Sequence, residues 1–451
     1  MQLKTFLDAL FARAKQEGIE RCEAYISESD SFEASVNNGE IIDYNVAGSM
    51  GLSFRALIDG KMGYASTQVL DGAAIDLLIN GAIANAQLIE SNDEQFIYAG
   101  DSEYPALEGH DPTLDSVSVD EKIDMVKRLE RLTMDCDDRI AQTDQCLIMS
   151  GNERIQIVNS LGLNLSHKSN MLCAASMPIA KANDRVNSGM GYQIVRDPKK
   201  LSLEAVAREA ADDALKGLSA APVSSGSYTI ALSNLAATSL LSVFVGVFSA
   251  EMAQKGMSLL KGKENELIAA EGVTLMDDPI HPDGFAGAPF DAEGVCAYAK
   301  PIIDQGRLTT LLHNLKTARK QNLARSTANA AKGSYQSSIG IAPSNFYFKP
   351  GELSFDELIA GIGEGLLITD LQGLHAGANP ISGDFSLSAK GFVIAGGELG
   401  GAVDQITVTG NFYQLLKDIE AVANDLRFSF PGAMHCGSPA LRVKSLFVAG
   451  M

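Results

Sequence analysis

Residues 22–67 read CEAYISESDSFEASVNNGEIIDYNVAGSMGLSFRALIDGKMGYAST, and this stretch decides how the amino-terminal part of the chain folds. Apolar and polar residues alternate through CEAYISES, SFEASVNN and GEIIDYNV, the period of two expected of half-buried strands. In MGLSFRALIDGKMGYAST the pair Asp59-Gly60 stands between two such runs and predicts a two-residue hairpin. Helical spacing flanks the strands on both sides. Upstream, Leu3, Phe6, Leu7, Leu10 and Phe11 share one face of MQLKTFLDALFARAKQEG, which reads as an amphipathic helix rather than a signal peptide. Downstream, DGAAIDLLINGAIANAQLIE (residues 71–90) returns to the helical period.

The same order recurs further along. VDEKIDMVKRLERLTMDCD is helical, RIAQTDQCLIMS and RIQIVNSLGLNLS read as strands joined at Asn152-Glu153, and LEAVAREAADDALKGL closes with a helix. Two helix–strands–helix units in succession suggest an internal duplication, although no residue-level repeat is visible. Gly, Asp and Pro crowd residues 100–113 as a linker, and AAPVSSG, Ala220 to Gly226, marks the cleanest boundary. Beyond it, short strands punctuated by glycines predict a β-rich domain with loops large enough to form a site. Helices are expected there at Leu235 to Lys255, near Leu311 to Leu323, at Ser354 to Gly361 and at Tyr413 to Asn424. The fold class is therefore α+β, with domains at 1–99, 114–219 and 226–451.

Composition narrows the function. With 451 residues the chain is too long for one core, and 46% apolar against 20% charged residues describes a globular protein. A net charge of −20 argues against a surface that grips nucleic acid, because phosphate binding needs clustered Lys and Arg. The longest uncharged stretch, Gly217 to Ala250, is broken by Pro222, Gly226 and Asn234, and its dense part, Leu235 to Phe248, is shorter than the roughly 20 residues a bilayer requires. Cys22, Cys136, Cys146, Cys173, Cys296 and Cys436 contain no C-x-x-C pair, so reduced thiols in a cytoplasmic protein are expected.

Few motifs carry chemistry. No two of His110, His167, His281, His313, His375 and His435 lie three to five residues apart, so the usual paired zinc ligands are missing. His435 and Cys436 are adjacent, but neighbours in an extended segment point to opposite faces. There is no G-x-S-x-G; Ser258-Leu-Leu-Lys261 fits S-x-x-K as a chance match of four residues. Gly361-Ile-Gly363-Glu-Gly365 follows a helix and precedes a strand, the reverse of a dinucleotide turn, and reads as a helix C-cap. Ser239, Ser242, Gly246 and Ser249 share a face of the predicted helix 235–255. They offer either close helix packing or the floor of a groove.

The carboxyl-terminal half carries a resemblance. Phe290-Asp291-Ala292-Glu293-Gly294-Val295 is similar to the FDxEG element of the TldD/PmbA family, once called modulators of DNA gyrase. Ile381-Ser382-Gly383-Asp384-Phe385-Ser386, Gly391-Phe392, Ile406-Thr407-Val408-Thr409-Gly410-Asn411 and Cys436-Gly437-Ser438 follow in the family's order. In that family the TldD-like member carries H-E-x-x-x-H on the corresponding helix, and a late cysteine completes a zinc site with an open position for water. An alignment anchored on Lys255-Gly256 and Ser258 places Leu241 and Gly246 at the histidine positions and Ser242 at the glutamate. Of the ligand set only Cys436 matches.

The resemblance thus implies the PmbA (TldE) branch: a non-catalytic subunit that pairs with a TldD-like metallopeptidase, or with itself, and acts with it on unfolded peptides in peptide maturation and proteolysis. It carries no cofactor of its own, zinc being expected only in the partner, and binds neither nucleic acid nor membrane. Asp291, Glu293, His375, Asp384, Asn411 and Cys436 are expected around one peptide cleft. Two alternatives stand beside this. One is an independent hydrolase using Cys436 or the Asp291/Glu293 pair, whose plainer reading is a turn capping neighbouring amides. The other is an interaction protein, such as a modulator of gyrase.

Overall fold

The computed structural model of the chain describes residues 1–90, 93–430 and 435–451. Helix α1 (Leu3–Gln16) leads into strands β1 (Cys22–Asn37), β2 (Glu40–Ile58) and β3 (Lys61–Thr67), then helix α2 (Gly72–Gln87). The three strands are long because the runs CEAYISES and SFEASVNN are one continuous strand, as are GEIIDYNV and MGLSFRALI. Asp59 and Gly60 both take positive φ (48° and 77°), the type I′ geometry that matches strand twist. Asn38-Gly39, which the alternation alone does not single out, makes the same turn between β1 and β2 (54° and 77°).

The second unit comprises α3 (Pro112–Asp115), α4 (Val119–Met134), β4 (Ile140–Asn159), β5 (Asn164–Ala182), β6 (Arg185–Ser188), β7 (Gly191–Val195) and α5 (Leu203–Lys216). Ser118 and Glu121 form a reciprocal capping box at the start of α4. The expected turn at Asn152-Glu153 does not exist. Strand β4 runs straight through it, paired with β1 on one side and β5 on the other, and the hairpin falls after Asn159. Polar residues are tolerated mid-strand because this part of the sheet fronts a cavity, described below, instead of an apolar core.

Both units share one sheet, in the order β3-β2-β1-β4-β5-β6, with β7 also on β5. The antiparallel β1–β4 pair lies between them, so β1 and β2 on one side answer β4 and β5 on the other, the arrangement a duplicated unit would give. One face is apolar. Phe6, Leu10, Leu78 and Ile79 of α1 and α2 pack on Ile26, Leu52 and Phe54, and Val126, Leu129 and Val206 of α4 and α5 pack on Phe32, Ile148 and Leu172.

The other face receives the β-rich part. It contains β8 (Gly226–Leu232), α6 (Asn234–Phe244), α7 (Ala250–Gln254), β9 (Leu275–Asp277), β10 (Lys300–Asp304), β11 (Arg307–Leu308), α8 (Leu315–Lys320), β12 (Ala330–Ala331), β13 (Gly340–Ile341) and β14 (Asn345–Phe348). Then follow α9 (Phe355–Ala360), β15 (Glu364–Gln372), α10 (Leu374–Gly377), β16 (Asp384–Ala395), β17 (Glu398–Asn411), α11 (Phe412–Asp418), β18 (Ile419–Val422), β19 (Arg427–Phe428), β20 (His435–Ser438) and β21 (Leu441–Ala449). Strands β17-β16-β15-β8-β21 are consecutive neighbours and β17 also pairs β21, so these five close into a ring, with β18 outside on β21. A second sheet runs β11-β10-β9-β14-β20-β19. Between them Phe244 stacks on Phe412 at 4.5 Å, in the largest apolar core of the chain.

Three expected helices are shorter than the sequence pattern implies, the one near Leu311 to Leu323 being α8, Leu315–Lys320 alone. The segment 235–255 is interrupted: α6 ends at Phe244, Val245–Phe248 tightens into a 3₁₀ turn, and α7 starts at Ala250. The break frees backbone groups for Leu312, whose N–H donates to Phe248 O at 2.8 Å and whose carbonyl accepts from Ala250 at 2.9 Å. Likewise α11 stops at Asp418, and Ile419–Val422 joins β21 as a strand. Among the described residues no helix is long and apolar enough to cross a membrane.

Candidate functional site

Helix α6 leaves strand β8 with Ser233 as its N-cap, the hydroxyl accepting from Ala236 N at 3.2 Å. It carries the positions matched to the family's zinc motif. Leu241 is fully buried in the main core. Ser242 Oγ is engaged within its own helix, donating to Ser239 O at 2.7 Å. Gly246 is exposed in the 3₁₀ turn and has no side chain to offer. Cys436, in β20, is 0% exposed in the same core as Leu241, and burial pushes its thiol up to about 12. This donor set does not fit a zinc ion, which needs deprotonated N, S or O ligands converging on one point. Among the described residues no group of three or more His, Cys, Asp or Glu side chains is placed to hold a metal.

The other residues singled out fall into two places. Asp291 accepts from the backbone of Glu293 (2.9 Å), Val295 (3.0 Å) and Ala330 (3.0 Å). Glu293 accepts from Leu315 N at 2.7 Å, at the start of α8, and lies 3.6 Å from Arg55 Nη1. Arg55 in turn binds Glu23 at 2.8 Å, so a buried chain of charges ties β1 and β2 to the β-rich part. Burial, then the charge of Glu293, pushes the Asp291 carboxyl upward; burial also raises Glu293, against the pull of Arg55. Each oxygen pair has its own donors, which is the geometry of a capped turn. Far along the chain, Asn411 Nδ2 donates to Asp384 Oδ1 at 2.8 Å and to Ser382 O at 2.9 Å, holding the ends of β16 and β17 together on the surface. His375 is exposed on α10, which bridges to β16 through Ala378 and Phe385. Among the described residues no hydrogen bond or ion pair links Asp291 and Glu293, Asp384 and Asn411, and Cys436 into one site.

A cavity of about 1020 Å³ lies elsewhere, between β5, β6, β7 and α5 of the second unit and α6, β16 and β17 of the β-rich part. Thr238 and Ser239 of α6 line it, so one end of that helix's small-residue face, at Ser239, borders open space. Its far wall carries Arg427, held by Glu209 and stacked 4.4 Å over Tyr192, whose hydroxyl donates to Phe428 O at 2.6 Å. Carboxylates outnumber cations around it: Asp144, Asp212, Asp213, Asp370 and Asp404 face Lys216 and Lys390. Burial pushes the Asp213 carboxyl upward. Two buried atoms on the lining, Asp404 Oδ1 and Ser429 Oγ, have no hydrogen-bond partner among the described residues. Unpaired buried oxygens cost stability, which makes them natural acceptors for a ligand N–H. Sequence reading missed Asp404 and Ser429 because neither belongs to a motif; their only signal is where the fold puts them.

Three family models match the chain in order: PmbA/TldA metallopeptidase domain 1 over residues 22–86, the central domain over 112–218 and the C-terminal domain over 225–450. The chain is 28% identical over 438 residues to the metalloprotease PmbA of Escherichia coli O157:H7, spanning 95% of this chain and 92% of that one. It is 32% identical over 280 residues to a metalloprotease of Methanothermobacter thermautotrophicus, an alignment that spans 58% of either chain. Among solved structures, a Thermotoga maritima protein described as a candidate modulator of DNA gyrase superposes with a TM-score of 0.92 at 34% identity, covering 99% of this chain and 100% of that one. TldE of Thermococcus kodakarensis superposes with a TM-score of 0.90 at 22% identity, covering 99% and 100%, which is a likeness of fold.

Proposed function

From a chain that belongs to the PmbA/TldD metallopeptidase family yet holds Leu241, Ser242 and Gly246 where that family's zinc motif would stand, we propose a peptide-holding subunit without hydrolytic machinery of its own. The observation that carries this reading is the filling of the helix position by apolar core together with the burial of Cys436. Without an activated water or an accessible nucleophile, peptide hydrolysis has no attacking group. The acidic cavity beside α6 is the place for an unfolded peptide, with Asp404 Oδ1 and Ser429 Oγ accepting backbone N–H groups. The partner is a TldD-like subunit that brings the zinc, and the complex works in the cytoplasm on peptide precursors or unfolded chains. The hydrolase alternative is disfavoured by the protonated thiol of Cys436 and by the full complement of donors around Asp291.

The test is incubation of an unstructured peptide with this chain, with a TldD-like subunit, and with both, following fragments by mass spectrometry. The chain alone should release none, and its addition should raise the partner's turnover. Asp404→Ala should weaken that stimulation while leaving the chain folded. Cleavage by the isolated chain that survives a chelator would overturn the proposal.

A further inference from the structure

A second cavity, of about 310 Å³, lies between the polar face of the amino-terminal sheet and the loops of the β-rich part. Its floor is built by strand register. Tyr25 of β1 stands beside Ile157 of β4, and Ile155 and Glu153 follow on the same face, opposite His167 and Ser169 of β5. Its roof, residues 286–292 and 328–331, is largely alanine, so the space stays open. A volume of this size holds roughly ten waters at ~30 Å³ each, the low end of ligand pockets.

Of the polar groups around this space, Asp291 is already capped by backbone amides, whereas His167 Nε2 and Asn329 Oδ1 are buried with no hydrogen-bond partner among the described residues. Lys332 lies 5.4 Å over the Tyr25 ring and 5.7 Å over that of Tyr64, and donates to Ser53 Oγ (3.4 Å) and to Ser337 O, all neutral partners. Burial, then the neighbouring Arg55, pushes its ammonium down to about 8, as expected of a cation short of counter-charge. Glu153 is exposed on β4. Among the described residues neither Lys332 nor Glu153 takes part in an ion pair, and the Glu153 carboxylate has no hydrogen-bond partner. On the same lining Asn329, 2% exposed, donates through Nδ2 to Asp277 (2.7 Å) and Ala342 O (3.1 Å), which fixes the amide and leaves its Oδ1 buried and without a partner among the described residues. The residue before it, Ala328, is held at φ 55°, a conformation that residues bearing a Cβ rarely adopt. With the Asp291 carboxyl already taken up by three backbone amides, one cation, one anion and one fixed carbonyl acceptor around a space for about ten heavy atoms match the two ends of a short zwitterion.

We propose that this cavity binds a small zwitterion of amino-acid type, a free amino acid or a dipeptide, with its carboxylate on Lys332, its ammonium on Glu153 and an N–H on Asn329 Oδ1. The site is separate from the cavity beside α6 and requires no catalytic partner, so it stands or falls independently of the subunit proposal.

Calorimetric titration of the full chain with Ala-Ala, N-acetyl-Ala-Ala, Ala-Ala amide and alanine tests it. Ala-Ala or alanine should bind saturably, the two distinguishing dipeptide from free amino acid. Blocking either terminus should cost at least about tenfold in affinity, the worth of one charged hydrogen bond. In Lys332→Met the acid and the amide should bind alike, and in Glu153→Gln the free and acetylated amines should bind alike. Both variants should unfold at the temperature of the parent; should Lys332→Met fail to fold, Lys332→Gln and the blocked-ligand series on the unmodified chain decide. Absence of saturable binding up to about 10 mM, or a terminal preference that persists in both variants, overturns the proposal.

Discussion

At Cys436 burial pushes the thiol up to about 12, so at pH 7 it stays protonated and does not supply the thiolate that attacks carbonyls and binds metals. Cys436→Ala is therefore expected to leave stimulation of a TldD-like partner within about twofold and to cost about 1 kcal/mol of stability. A tenfold loss of stimulation in a folded variant would restore the thiol to the chemistry. Histidines make a second prediction. Burial pushes His313 and His435 down to about 4, so the folded chain keeps both imidazoles neutral where the unfolded chain, at about 6.5, protonates them. Their contribution to stability is present above pH 6.5 and is lost as pH falls towards 4, by up to about 1.4 kcal/mol per unit for each. Asp291, raised by burial, works in the opposite direction over the acidic range. Urea midpoints measured from pH 7 to 4 should decline less steeply in His313→Asn than in the parent. Parallel profiles would show that His313 takes up its proton as readily in the folded chain as in the unfolded one.

Elements in this chain are positioned by close backbone approach. Strand β3 meets helix α2 at Gly63, where an added Cβ would come within 1.8 Å of Ala82 O and 3.0 Å of the Ala86 methyl. Backbone cannot move aside as a side chain can, so Gly63→Ala is expected to cost about 1–3 kcal/mol or more, read from thermal unfolding. Gly246 is the contrast, with open space around its added Cβ. Gly246→Ala should leave the melting temperature within a degree or two of the parent, since the break it sits in is held by the Leu312 pairing and not by the absence of a side chain. A marked gain on substitution would instead show that glycine itself interrupts the helix.

Across the whole molecule, the two halves are fastened by the buried run Asn159, Glu23, Arg55 and Glu293. Removing its central cation leaves two carboxylates without a counter-charge in a dry interface. Arg55→Met should therefore destabilise the chain by about 3–5 kcal/mol, with hydrogen exchange rising along β1, β2 and the 291–295 turn together. Protection lost in only one half would show that the charges do not couple them. Burial, not sequence spacing, makes this a lock: the three charged side chains lie at positions 23, 55 and 293.

The α+β class, the hairpin at Asp59-Gly60, the amphipathic α1 and the family were all legible in the sequence, because each rests on a local pattern: alternation, helical period, turn chemistry or an ordered set of short motifs. The absence of histidine spacing on α6 was equally local. What only the tertiary structure decided were the properties that depend on what lies opposite. Asn152-Glu153 has the composition of a turn and is strand, because β1 and β5 pair with it on both sides. Asp291 and Glu293, alternating in sequence as an acid/base pair might, are enclosed by amides and by an arginine more than two hundred residues away. Asp404, Ser429, Asn329 and Lys332 belong to no motif, and they acquire a role from cavities formed where the long sheet meets the β-rich part. A cavity is a property of two surfaces that fail to meet, and neither surface records the other in its own residues.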